Sequence, residues 1–368
     1  MKGWLYRSFY IKIMKTLNLV MIVKNEERCL ERCLFSVREL IDEIIIVDTG
    51  SIDRTKQIAL SFGAKIFDYE WNNDFSSARN FALSKSNSDW NLVLDADEYL
   101  VNGSRKDIVN FLENTNSLGA IQIRNAYMDN NEISYGINYI TRLIPKGVSF
   151  TGKIHEQVDS NLPRIPLPLT FEHDGYLLPN KSDRNLPILM EELKTNPNDS
   201  YILYQVAKTL KNMDRFKEAV PYFERFYNLV DNNSNYYNSG VIEYIYTLIE
   251  IENFEKALNI IEEVKYNLQE FADFWFLCGI FFMKLILFDI LKYQNYLYRI
   301  EESYLKCLEI GEIPEKQGVY GCGSFKAAYN LGTWYEVSGD VEKAKKYYNL
   351  SAKLGYKIAI ERLSLLNN

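Results

Sequence analysis

A chain of 368 residues, 47% apolar and 25% charged, holds enough apolar material for two cores and is too apolar to be disordered. Its formal charge of −7 excludes a broad nucleic-acid-binding face, which would need a basic surface for phosphates, and no nucleic-acid partner is expected. Cys29, Cys33, Cys278, Cys307 and Cys322 are odd in number and form no CxxC pair, so a disulfide framework is not expected and a reducing, cytoplasmic location fits best.

The chain opens with "MKGWLYRSFYIKIMKTLNLVMIV", an apolar stretch broken by Lys12 and Lys15 and lacking a small-residue cleavage site. It is not read as a signal peptide. Residues 1–16 are an N-terminal extension, within which Met14 is an alternative start. "LNLVMIV" (17–23) and "EIIIVD" (43–48) then read as central parallel strands, apolar on both faces. Between them, "EERCLERCLFSVREL" sets Leu30, Cys33, Leu34 and Val37 on one helical face, where the two cysteines pack rather than bind zinc. A second helix follows "GSIDRT", capped by Ser51 or Asp53 and ended by Gly63. "AKIFDY" resumes as a strand, Asp74 caps "FSSARNFALSKS", and "NLVLDADEYL" (91–100) is a strand that runs into three acids. Such alternation predicts a doubly wound sheet.

From about residue 120 the pattern turns antiparallel, in "AIQIRNAYM", "YITRLI" and "VSFTGKIHEQV". The proline-rich "LPRIPLPLTFEHDGY" (162–176) is read as the exit from the first domain. The division is therefore 17–180 for an α/β domain, 181–199 for a linker and 200–368 for helical repeats. In the last part "YQVAKTLKNMDRFKEAVPYFERF", "IYTLIEIENFEKALNIIEEV" and "YNLGTWYEVSGDVEKAKKYY" share one scheme, with Ala219, Ala257 and Ala344 at equivalent places. They resemble tetratricopeptide helical hairpins, and four units would stack into a short solenoid, the third carrying an insertion. "FADFWFLCGIFFMKLILFDILKY" (271–293) contains Asp273, Lys284 and Asp289 and reads as a buried helix, so no stable membrane insertion is expected.

In a doubly wound sheet, ligands gather beyond the carboxyl ends of the strands. "KNEE" (24–27), Asp48 and the pair Asp95 and Asp97 all lie at such ends. Carboxylates so close would raise one another's pKa without a cation, and a hard divalent ion keeps positions open for phosphate oxygens.

"LVMIVKNEERCLERCLFSVRELIDEIIIVDTGSIDRTKQIA", "DFSSARNFAL" and "LVLDADEYL" together resemble a family 2 glycosyltransferase of the GT-A fold. That resemblance implies a Rossmann-like mixed sheet over residues 17–180 and an inverting, metal-dependent transferase that uses a UDP-sugar. It assigns Val23, Asn25, Glu26 and Asp48 to the uracil and ribose, Arg79 to the nucleotide, and Ser51, Asp95 and Ala96 to the nucleotide-sugar. Asp97 and His173 would hold Mg2+ or Mn2+, Glu156 in "GKIHEQV" would be the general base, and His155 would contact either the metal or the acceptor. With its helical tail the chain also resembles sublancin-type peptide glycosyltransferases, which implies a peptide or protein acceptor, through Cys or Ser, held by the repeats. Three alternatives stand beside this. The acceptor could be a lipid-linked or cell-envelope oligosaccharide, the strand-end site could be degenerate and leave a nucleotide-sugar-binding scaffold, or the repeats could serve to rigidify the enzyme or form a homodimer.

Overall fold

The computed structural model describes residues 15–129, 132–174, 182–313 and 318–366. The N-terminal extension before Lys15, including Met14, and the Gly175 and Tyr176 of the "HDGY" motif lie outside the described residues. The chain divides into two compact units, 1–124 with 139–152 and 156–175, and 125–138 with 153–155 and 176–368.

The first unit is built in the order β1 (Leu17–Val23), α1 (Leu30–Val37), β2 (Glu43–Asp48), α2 (Thr55–Ser61), β3 (Lys65–Asp68), α3 (Phe75–Ser84), β4 (Trp90–Val93), β5 (Glu98–Asn102) and α4 (Arg105–Asn114). Then come β6 (Leu118–Asp129), β7 (Glu132–Pro145), β8 (Ser149–Thr151), β9 (Gln157–Asp159) and β10 (Arg164–His173). The sheet runs β3-β2-β1-β4-β7-β6-β10-β5. β3, β2, β1 and β4 are parallel, and β4 pairs with β7 antiparallel, giving the expected mixed sheet.

Strand period and helix period explain why helices cover both faces. Leu17, Leu19, Met21 and Val23 of β1 join Leu30, Cys33 and Leu34 of α1, Ala59 of α2 and Ile108 of α4 in one core. Val20 of β1 points the other way, with Ile45 and Val47 of β2, onto Ala82 of α3. Gly63, at φ +75°, ends α2 in the left-handed conformation its position was expected to need. Asp74 caps α3 by accepting from the Ser77 N–H at 2.9 Å.

The proline-rich segment, expected to lead out of the first domain, is itself a strand of that domain's sheet. β10 lies inside the sheet, between β6 and β5. Its period of two explains this: Leu167, Leu169 and Phe171 are buried, whereas Pro166 and Pro168 occupy the exposed alternate positions.

The second unit is helical. Residues 182–195, expected as a linker, form α5 (Ser182–Thr195), followed by the hairpins α6 (Ser200–Lys211) with α7 (Phe216–Leu229) and α8 (Tyr237–Glu250) with α9 (Phe254–Val264). α10 (Ala272–Phe288) is separated from α12 (Leu297–Ile310) by the short α11 (Ile290–Tyr293), which is the expected insertion. A short strand, β11 (Gly318–Val319), precedes α13 (Phe325–Val337), α14 (Val341–Lys353) and α15 (Lys357–Leu366).

Ala219, Ala257 and Ala344 are each fully buried, as close helix approach requires. Lys211–Glu243, Lys256–Glu224, Lys284–Glu250 and Tyr335–Glu301 join residues 32 to 34 apart, the length of one tetratricopeptide unit. α10 buries Phe274, Leu277, Phe281 and Phe282, and among the described residues no helix is long and apolar enough to cross a membrane. The outer end of the β6–β7 hairpin belongs to this unit, where β11 pairs with Gly136 and Ile137.

Candidate active site

The parallel register aligns Val23 with Asp48, so the turns after β1 and β2 emerge side by side. They are stapled to each other by short polar contacts. The Asn25 N–H donates to Ser51 Oγ (2.9 Å) and the Ile52 N–H donates back to Asn25 Oδ1 (2.8 Å). The Glu26 N–H donates to Thr55 Oγ1 (2.7 Å), and the Val23 carbonyl accepts from the Thr49 N–H (2.9 Å). Asn25 takes φ +56°, a conformation its short amide tolerates better than most side chains. The cap position of α2 is Arg54 rather than Ser51 or Asp53; Asp53 Oδ1 instead closes a local turn by accepting from the Thr55 N–H at 2.9 Å, and Ser51 is engaged by Asn25.

Asp48 is 1% exposed. Its Oδ1 accepts from the backbone N–H groups of Gly50 (3.0 Å) and Ser51 (2.9 Å), while its Oδ2 is buried with no hydrogen-bond partner. A buried carboxylate oxygen without a donor is costly, and it marks a place where a ligand donor fits.

One strand over, the acids that end the β4 segment are held by arginines. Arg79, buried on α3, donates from Nη2 to Asp95 Oδ1 (2.7 Å) and from Nε to Glu156 Oε1. Arg142, buried on β7, donates from Nη2 to Asp95 Oδ2 (2.9 Å) and to Glu98 Oε1. Burial opposes ionisation of Asp95, but the two guanidiniums overcome it and hold its carboxyl well below the usual range. Glu98 moves the other way, raised by burial and by Asp95 against the pull of Arg142. Part of the relief from charge repulsion expected of a cation therefore comes from protein side chains. Arg142 went unrecognised within "YITRLI", because its partners lie 44 and 47 residues away and only the pairing of β7 with β4 brings them near.

Asp97 is 4% exposed, and its Oδ2 stands 3.3 Å from Nε2 of His173 at the end of β10. Burial lowers the His173 pKa, but the hydrogen bond and charge of Asp97 outweigh it and the imidazole titrates above its ordinary value. Among the described residues no three or more His, Cys, Asp or Glu side chains gather as a metal cage. A carboxylate beside an imidazole still suits Mg2+ or Mn2+, which are held by one or two protein groups together with substrate phosphates.

The remaining expected residues divide. Ala96 is buried within the same turn. Glu156 joins the cluster through Arg79, and its loop is tethered because the Asn80 side chain exchanges hydrogen bonds with the Phe150 backbone at 2.9 and 2.8 Å. His155, next in sequence, groups with the second unit, where its carbonyl accepts from the Tyr201 hydroxyl at 3.3 Å and its φ is +50°. The five cysteines are free and buried, and Cys29, donating to Glu26 Oε2 at 3.2 Å, is pushed up to about 12 by burial and that contact.

The family model for glycosyl transferase family 2 matches residues 19–161. A TPR repeat-containing protein of Synechococcus elongatus is 31% identical over 223 residues, 56% of this chain and 55% of that protein. The SPbeta prophage-derived glycosyltransferase SunS of Bacillus subtilis is 27% identical over 226 residues, 58% of this chain and 53% of that protein. MamA from Desulfovibrio magneticus is similar in structure over 48% of this chain and 86% of that one, with a TM-score of 0.38 and 20% identity. The chain spans about half the length of the curated relatives it matches. Residues 19–161 thus match the glycosyl transferase family 2 model and carry its strand-end motifs on a mixed sheet, with tetratricopeptide-like helical hairpins after them.

Proposed function

We propose that the protein moves a sugar from a UDP-sugar to a nucleophilic acceptor, with inversion at the anomeric carbon. The observation that carries this reading is Asp48, whose buried Oδ2 lacks a donor beside two turns locked into one platform. A nucleoside supplies that donor from a ring N–H or a ribose hydroxyl. Arg79 Nη1, also buried without a partner, supplies a cationic donor for a nucleotide oxygen.

Asp97 and His173 would hold Mg2+ or Mn2+, which when bound supplies the positive charge that offsets the leaving diphosphate. Glu156 takes the acceptor proton as the acceptor bonds to the anomeric carbon and the bond to the diphosphate oxygen breaks. Arg79 Nε holds Glu156 Oε1, which leaves Oε2 as the oxygen that receives the proton. A thiol acceptor would ask less of this base than a hydroxyl, because thiolate forms more readily. The acceptor class that fits the helical hairpins is a peptide or protein side chain.

Titration calorimetry of UDP with and without manganese tests the donor site. Asp97→Asn is expected to abolish the metal-dependent binding. Glu156→Gln is expected to keep UDP binding and slow transfer by about 10²–10⁴. Full turnover in that variant would remove Glu156 from the base role.

A further inference from the structure

Five charges alternate in sign through the site. Glu156 meets Arg79, Arg79 meets Asp95, Asp95 meets Arg142, and Arg142 meets Glu98. The chain ends on a residue with two further bonds. Glu98 Oε2 accepts from the Asp95 N–H at 3.0 Å, and the Glu98 N–H donates to the Asp95 carbonyl at 3.1 Å, so residues 95–98 form a turn closed at both ends. Glu98 also stands opposite His173 in the β5–β10 ladder. Asp97 lies in this turn directly before Glu98 and His173 lies across the ladder from Glu98, so Glu98 stands between the two, and Arg142 grips Glu98 and Asp95 together from β7.

Building on the nucleotide-sugar reading above, we propose that Arg142 is a positioning residue for the cation pair Asp97–His173. With both Asp95 oxygens taken by Arg79 and Arg142, Asp95 serves as a brace rather than a metal ligand. Both bonds leave one Arg142 nitrogen, Nη2, whose two hydrogens the guanidinium plane fixes in direction, whereas a lysine ammonium rotates and holds two carboxylates with less directional control. Groups that orient metal-binding side chains affect metal affinity by about 10–100-fold when removed.

The test is UDP calorimetry on the full chain, with and without manganese, for wild type, Arg142→Lys and Arg142→Met. Arg142→Met is expected to lose at least about tenfold of the manganese-dependent gain in UDP affinity while changing metal-free UDP affinity by less than about threefold. Arg142→Lys is expected to recover part of the gain. A folded Arg142→Met that keeps the wild-type ratio of the two affinities overturns the assignment. Should Arg142→Met fail to melt cooperatively, the double variant Arg142→Met/Glu98→Gln removes both charges and goes into the same titration. Loss of the manganese-dependent gain there supports the assignment, and the wild-type ratio overturns it. Wild-type protein whose UDP affinity ignores manganese overturns the metal role of Asp97 and His173 and this inference with it, whereas wild-type protein that binds no UDP overturns the nucleotide-sugar reading itself.

Discussion

Asp95 receives two guanidiniums on one carboxylate, and the two have different reach. Arg79 connects it to Glu156, while Arg142 connects it to Glu98. Arg79, Arg142 and Glu98 are buried, so removing one of them leaves an uncompensated charge that costs about 3–5 kcal/mol, and less where solvent reaches the 40% exposed Asp95 side chain. Losses in these variants must therefore be judged beside a melting curve. A half-buried carboxylate in the second unit is linked to stability. Asp273 on α10 accepts from the Val319 N–H at 2.7 Å, and burial raises its pKa to about 7. The folded state then binds a proton more tightly than the unfolded state, so stability is highest below about pH 4 for this group and falls as pH rises toward 7. Asp273→Asn keeps the accepting oxygen and removes the charge. Its thermal midpoint relative to wild type is expected to be higher at pH 8 than at pH 5, by roughly 2–3 kcal/mol in stability. An unchanged difference between the two pH values would show that Asp273 carries no such linkage.

Within the helical hairpins, two glycines set how closely paired helices approach. A Cβ at Gly332 on α13 would come within 2.7 Å of the Tyr348 ring on α14, and one at Gly279 on α10 within 2.5 Å of Tyr304 on α12. Tyr348 has little room to move, since it is 1% exposed and its hydroxyl bonds Thr333 (3.1 Å) and Glu336 (2.7 Å). Gly332→Ala would gain about 1 kcal/mol of helix propensity yet overpack the interface at a cost of about 1–3 kcal/mol. Net destabilisation in chemical denaturation is expected, with recovery in Gly332→Ala/Tyr348→Leu. A stabilised Gly332→Ala would show that the helices can separate at little cost.

For the whole molecule, the division between units does not follow chain order. Residues 125–138 come from the middle of the first domain in sequence, yet they group with the helices. There β11 pairs with Gly136 and Ile137, and Lys326 Nζ reaches the Tyr127 hydroxyl at 3.4 Å. Ending the chain at residue 181 therefore removes partners of 125–138 as well as the repeats. Such a truncation is expected to melt lower and aggregate more than one in which 125–138 is also replaced by a short turn. Both melting alike would mean that the hairpin end needs none of those partners.

Local chemistry was enough for much of this. The strands 17–23 and 43–48, the apolar face of α1, the Asp74 cap and the buried alanines follow from patterns a few residues long, because turns, caps and helix faces are decided by near neighbours. The same holds for the strand-end motifs around Asn25, Asp48 and Asp97, which carry the family resemblance. What only the tertiary structure decided is which charges meet. Arg142 finds Asp95 across 47 residues, Arg79 finds Glu156 across 77, and β10 enters the sheet between strands formed earlier in the chain. Strand order sets those encounters, and strand order depends on how apolar faces pair over the whole domain rather than on any short stretch of sequence.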